Sequence, residues 1–266
     1  MADRMLWNEG WNFVELPYDM DSYIFPATAE WNAVDIPHNW MITNTHALYR
    51  DSIGWYKKEF TIEEVKGHFA LRFEGVSMDA TLYVNGHEVL QRKNDYSVFE
   101  VDITDYIHLG KNHVAVMVVC CSPNTREYLG AGIINNVWFK TKNNLHMVSD
   151  GIHVKEIKET DSRWRVETDT EIAAKCAQCA GCSASKATLK QKLYDGEGLV
   201  VAETSDDFSI AETPVCSQVF YVENPKLLGV CKENLYCLVT ELWLNGRILE
   251  TEEQKISFGA SKKERG

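Results

Sequence analysis

A chain of 266 residues, 45% hydrophobic and 25% charged, is long enough for two domains of ordinary size, each burying its own core. Its formal net charge of −12, from 39 acidic and 27 basic residues, repels polyphosphate and argues against nucleic acid as a partner. No window approaches eighteen apolar residues and the start, MADRMLWNEGW, has no apolar segment behind a basic one, so no membrane partner is expected and the cytoplasm is the expected location.

In chain order, the loop IPHNW at 36–40 comes first. His38, Asn39 and Trp40 put polar groups beside an aromatic, the combination that sugar recognition uses; packing of Trp40 over the edge of a core explains the loop equally well. HFALRFEG follows with a period of two, placing Phe69, Leu71 and Phe73 on one face. DATLYVNGHEVL sets Ala80, Leu82 and Val84 on a common face before Asn85-Gly86, a pair that tolerates the positive φ of a tight hairpin turn. TDYIHLGKN offers at most one helical turn. HVAVMVV, at 113–119, is apolar on both faces and suits a central strand, with Cys120 and Cys121 expected to be buried at its end.

The stretch GAGIINNVWF at 130–139 has the look of a phosphate loop. It lacks a third glycine at the required spacing, however, and leads into a strand instead of a helix. A turn before Val137 and Phe139 enter a sheet is the simpler reading.

Near residues 148–151 the sequence becomes poorer in aromatics, and a domain boundary is placed there. Beyond it, Trp164 and Val166 alternate with Arg163, Arg165 and Glu167. ATLKQKLYDGEGLVVAE reads as strand, turn and strand, and LYCLVTELWLNGRILE as a second Asn-Gly hairpin. About seven short strands in this half fit an immunoglobulin-like sandwich. The expected architecture is all-β: a jelly-roll sandwich over 1–148, an immunoglobulin-like sandwich over 151–259, and a disordered tail at 260–266.

Chemistry-bearing residues are sparse. Eight cysteines in a chain of this size read as reduced thiols. Cys176, Cys179 and Cys182 have metal-ligand spacing, but no histidine lies nearby and a loop is preferred, so neither a metal nor another cofactor is expected. The eight histidines are scattered, and no G-x-S-x-G elbow occurs.

Several segments together say more. WNAVDIPHNW, GWYKKEF, LRFEGVSMDATLYVNGHEV, FEVDIT and GAGIINNVWF, in this order across 31–139, resemble the sugar-binding jelly-roll domain of glycoside hydrolase family 2, the family of β-galactosidases, β-glucuronidases and β-mannosidases. LYDGEGLVVAE, VENPKLL and KISFG resemble that family's immunoglobulin-like second domain. The resemblance implies a loop, here SPNTREYLGAGI, that projects toward a β-linked sugar held by a catalytic (β/α)₈ barrel of the same protein. Arg126 and Tyr128 would be its contact residues, with His38, Asn39 and Trp40 beside them. Asn39 stands where the family usually has aspartate, and Glu127 and Asn135 depart from its usual aromatic and arginine. Family members hydrolyse with two glutamates on a barrel of about 250 residues. Such a barrel would begin where this sequence stops, so the chain is expected to be inactive alone; its Asn8-Glu9 pair lies in an N-terminal segment and is read as coincidence. The alternatives are a stand-alone carbohydrate-binding protein and a purely structural interaction module.

Overall fold

A computed structural model describes residues 3–41, 51–93, 96–121, 130–174, 186–210, 215–228 and 234–259. The chain forms two compact units that divide between Lys142 and Asn143. Among the described residues every regular element is a strand apart from two single 3₁₀ turns, Asp21–Tyr23 and Thr104–Tyr106. No helix among them is long and apolar enough to cross a membrane.

The first unit contains ten strands: β1 (Asp3–Leu6), β2 (Trp11–Pro17), β3 (Asn32–Val34), β4 (Ser52–Ile62), β5 (His68–Phe73), β6 (Asp79–Val84), β7 (His87–Arg92), β8 (Phe99–Asp102), β9 (Gly110–Cys120) and β10 (Val137–Lys142). They make a four-stranded sheet, β1-β10-β5-β8, and a six-stranded sheet, β3-β2-β4-β9-β6-β7. The alternating residues of β5 and β6 face inward as their period of two demands: Phe69, Leu71 and Phe73 from one sheet, Ala80, Leu82 and Val84 from the other. Asn85 and Gly86 turn the β6–β7 hairpin with φ of 50° and 83°. Trp7 meets Trp11 and Phe60 edge-on at 5.5 and 5.3 Å within the core. Each such buried ring contributes on the order of 2 kcal/mol through apolar area removed from water.

The two-sided apolar character of β9 has a direct cause. Val114, Val116 and Val118 face the core between the sheets. Ala115 and Met117 join Val14, Ile53 and Trp55 in a separate cluster on the outer face. Part of the segment 17–31 crosses that face, pinned where the Trp55 indole Nε1–H donates to the Ser22 carbonyl at 2.8 Å. Cys120 is buried as expected, but Cys121 is exposed, because the strand ends at Cys120 and the next residue leaves the sheet.

The second unit contains seven strands: β11 (Leu145–Lys158), β12 (Arg163–Ala174), β13 (Lys186–Tyr194), β14 (Val200–Ser209), β15 (Val215–Glu223), β16 (Tyr236–Leu244) and β17 (Arg247–Ile256). Sheets β11-β12-β15 and β14-β13-β16-β17 give the immunoglobulin-like arrangement. Its core has two apolar clusters, one around Trp164, Phe220 and Phe258 and one around Met147, Leu189 and Leu242. The unit also buries Thr168, Thr170, Gln191, Gln218 and Thr240. Thr168 donates its hydroxyl to Gln191 Oε1 at 2.7 Å, and Gln191 Nε2 donates to Thr240 at 3.2 Å and Thr170 at 3.5 Å.

Candidate functional site

The stretch 130–137 leads into β10 and is fixed from three sides. Ser77 and Gly132 bond reciprocally: the Gly132 N–H donates to Ser77 Oγ at 2.7 Å, and the Ser77 N–H donates to the Gly132 carbonyl at 2.9 Å. Asn8 accepts the Val137 N–H through Oδ1 and donates through Nδ2 to Asn136 Oδ1, both at 2.9 Å. Glu74 takes one bond from Asn136 Nδ2 at 2.9 Å and one from Trp138 Nε1 at 2.8 Å. Asn8 is thus a strut for the start of β10.

The third side is IPHNW, which enters through a cis Ile36–Pro37 bond. Its backbone runs beside the glycine stretch, with the His38 N–H donating to Ile133 O at 2.8 Å and the Trp40 N–H to Ala131 O at 3.2 Å. Asn39 Oδ1 accepts the N–H of both Met41 and Ala131, each at 3.1 Å. Its Nδ2 is left buried with no partner among the described residues. An aspartate there would accept the same two bonds and bury no donor, which gives a physical reason for the residue the family resemblance leads one to expect.

Trp40 is 5% exposed. Its indole N–H donates to Ser52 Oγ at 3.1 Å, and its ring covers Gly54, where a Cβ would come within 2.6 Å of it. In this conformation the ring packs the end of the sandwich and offers no open face for stacking. His38 is half-buried; its Nδ1 lies 2.8 Å from the hydroxyl of the fully buried Tyr56. Burial lowers the His38 pKa below its ordinary value. Burial likewise pushes the Tyr56 phenol above its usual range, against an opposing backbone bond from Ile133. A neutral imidazole accepting the Tyr56 proton at Nδ1 satisfies both groups.

A pH dependence follows. A histidine whose folded pKa lies below its unfolded value near 6.5 binds more protons unfolded, so stability rises with pH between the two values. This contribution is complete above about pH 6.5 and is lost as pH falls from there toward the folded pKa. Thermal melts of the wild type and His38→Gln between pH 5 and 7.5 should show a shallower acid loss in the variant. Parallel curves would remove His38 from the account.

The Cys120 Sγ lies 3.4 Å from the Met41 Sδ, and Asn39 ties Met41 to Ala131. Arg126 and Tyr128 lie outside the described residues, as do Cys176, Cys179, Cys182 and the tail 260–266. Among the described residues no group of three or more His, Cys, Asp or Glu is placed to hold a metal. Sequence reasoning did not single out Tyr56, Ser77 or Glu74; each stands alone in a strand or turn, with no spacing that marks it.

Residues 16–138 match the family profile described as "Glycosyl hydrolases family 2, sugar binding domain". The match covers a little under half of the chain. A β-galactosidase of Bacteroides ovatus is 26% identical over 240 residues, which are 84% of this chain and 28% of that protein. A β-glucuronidase of Bacteroides fragilis is 31% identical over 118 residues, 42% of this chain and 16% of that protein. A solved structure of a family 2 member from Bacteroides cellulosilyticus is similar with a TM-score of 0.80 and 26% identity, covering 96% of this chain and 36% of the other. The chain therefore corresponds to the sugar-binding and immunoglobulin-like portion of larger family 2 enzymes, and it spans about 28% of the length of the Bacteroides ovatus relative. Among its described residues no catalytic barrel occurs.

Proposed function

We propose that this chain serves a retaining β-glycosidase of family 2 as the part that lines the sugar site with a loop and docks the catalytic barrel, with a β-galactoside as the favoured substrate. The observation that carries this reading is the sugar-binding-domain match over 16–138, reinforced by the bonded pairing of IPHNW with the glycine stretch next to the loop. Arg126 supplies a rigid fork of donors for sugar hydroxyls or a carboxylate, and Tyr128 an aromatic face with a hydroxyl. His38, Asn39 and Trp40 fix the glycine stretch that follows these residues in the sequence. The two glutamates that perform the displacement belong to the barrel. A cytoplasmic setting fits the free thiols of Cys120, Cys121, Cys216 and Cys237.

The test compares the 266-residue chain with the product of the source reading frame continued past codon 266, using nitrophenyl β-galactoside and β-glucuronide. The continued product should hydrolyse one of them with retention, and the 266-residue chain neither. Turnover by the purified 266-residue chain, or a stop codon directly after residue 266, would sink the proposal.

A further inference from the structure

The outer face of the six-stranded sheet carries a depression of about 210 Å³ that the site above does not use. Its floor is Ala115, 3% exposed, with Trp55, 1% exposed, beside it. Its walls are Tyr83 from β6, Tyr23 and Phe25 from the crossing segment, and His113 from β9. Small size at position 115 is what opens it: Tyr83 pairs with Ala115 across the sheet, and a methyl between larger neighbours leaves a hollow. Gly86 of the hairpin turn forms part of the rim, with nothing within 4 Å of where its Cβ would be.

The walls are held in position. The Ser22 carbonyl accepts the Trp55 indole bond at 2.8 Å, and the Ser22 N–H donates to Asp19 Oδ1 at 2.9 Å. Phe25 sits edge-on to Trp55 with centroids 5.5 Å apart, and Tyr83 is tilted against Trp55 at 5.6 Å. Tyr23 and Phe25 remain 37% and 39% exposed, so aromatic surface still faces the opening. Alternation along β4 puts Trp55 on the opposite face of the sheet from Tyr56, which bonds His38. The depression is thus separated from IPHNW by the thickness of the sheet.

The lining combines aromatic faces with two phenols and an imidazole, and only His113 among these residues can carry positive charge. Aromatic faces match the C–H face of a sugar ring, while phenol and imidazole match its hydroxyls. At about 210 Å³ the depression lies below the roughly 300–1,000 Å³ of pockets for drug-sized ligands, a size that suits one ring. We infer that this depression binds a single uncharged pyranose ring, stacked in the aromatic hollow on the outer face of the six-stranded sheet. The inference stands apart from the proposed role of Arg126 and Tyr128.

Saturation-transfer NMR on the 266-residue chain with methyl β-galactoside at millimolar concentration tests it. Transfer to the sugar ring protons is expected in the wild type, retained in Arg126→Ala, and weakened at least about tenfold in affinity by Ala115→Leu, which fills the hollow without deleting a wall. Tyr83→Phe, which keeps the ring, should weaken binding several-fold, and methyl β-glucuronide should bind less well than the galactoside. Absence of transfer in the wild type would overturn the inference. So would transfer that is undiminished in folded Ala115→Leu, including the case where Arg126→Ala abolishes it and thereby locates the sugar at the other loop.

Discussion

Replacing Gly132 with alanine is expected to be among the most destabilising single changes in the first unit, costing about 3–5 kcal/mol by combining backbone strain with overpacking. Gly132 has φ of +140°, where a side chain is strained before any neighbour is considered. The added Cβ would also overlap the His38 carbonyl oxygen and lie 2.6 Å from the Tyr56 hydroxyl. Neither can yield cheaply. The His38 backbone is bonded to Ile133, and Tyr56 is fully buried against Phe13. Gly86→Ala is the control, because its φ of +83° brings strain with no neighbour within 4 Å; it should cost only about 1–2 kcal/mol. At a few degrees of melting temperature per kcal/mol, calorimetry separates the two. Equal losses would mean that the His38 backbone moves aside, and that the pairing of IPHNW with the glycine stretch is not rigid. In a whole family 2 enzyme carrying the change, activity should fall along with stability, since the same contact fixes the glycine stretch that follows the proposed sugar loop in the sequence.

Much of this architecture was readable from period and turn chemistry. Alternation placed Phe69, Leu71 and Phe73 inward, and Asn85-Gly86 and Asn245-Gly246 both turn with positive φ. β9 was legible as a central strand because both its faces are covered, one by the opposing sheet and one by the segment 17–31. The candidate site was less legible. That segment packs through irregular residues such as Phe25 and Trp31, which follow no period, so the hollow over Ala115 left no mark in the sequence. His38 and Asn39 looked like sugar ligands because polar groups beside a tryptophan serve equally to bond a neighbouring backbone. Only distances to Ile133 and Ala131 reveal what they bond in this fold. Trp40 is an instance of the same ambiguity: the missing side chain of Gly54 admits its indole ring, a contact no motif announces.

The polar layer of the second unit was invisible for a related reason: threonine and glutamine at inward positions of β12, β13 and β16 read as ordinary β-sheet residues. Gln191 is fully buried and bridges the two sheets, accepting from Thr168 and donating to Thr170 of β12 across the sandwich and donating to Thr240 of β16 in its own sheet. Gln191→Leu should therefore cost about 2–3 kcal/mol, because the Thr168 hydroxyl loses its short partner and the other two lose a donor. Thr168→Val added to Gln191→Leu should recover part of that loss by removing the stranded donor, a positive coupling measurable in a double-mutant cycle. Gln191→Glu adds a sign test. Burial raises the carboxyl pKa of the folded state above its unfolded value of about 4.3, so the folded form holds its proton longer. Stability of Gln191→Glu should then be highest at or below about pH 4.3 relative to Gln191→Leu and fall progressively as pH rises. If Gln191→Leu instead matched or exceeded the wild type in urea melts, the layer would be a cost borne for register between the two sheets and not a source of stability. The residual threonines would then be expected to tolerate valine one at a time.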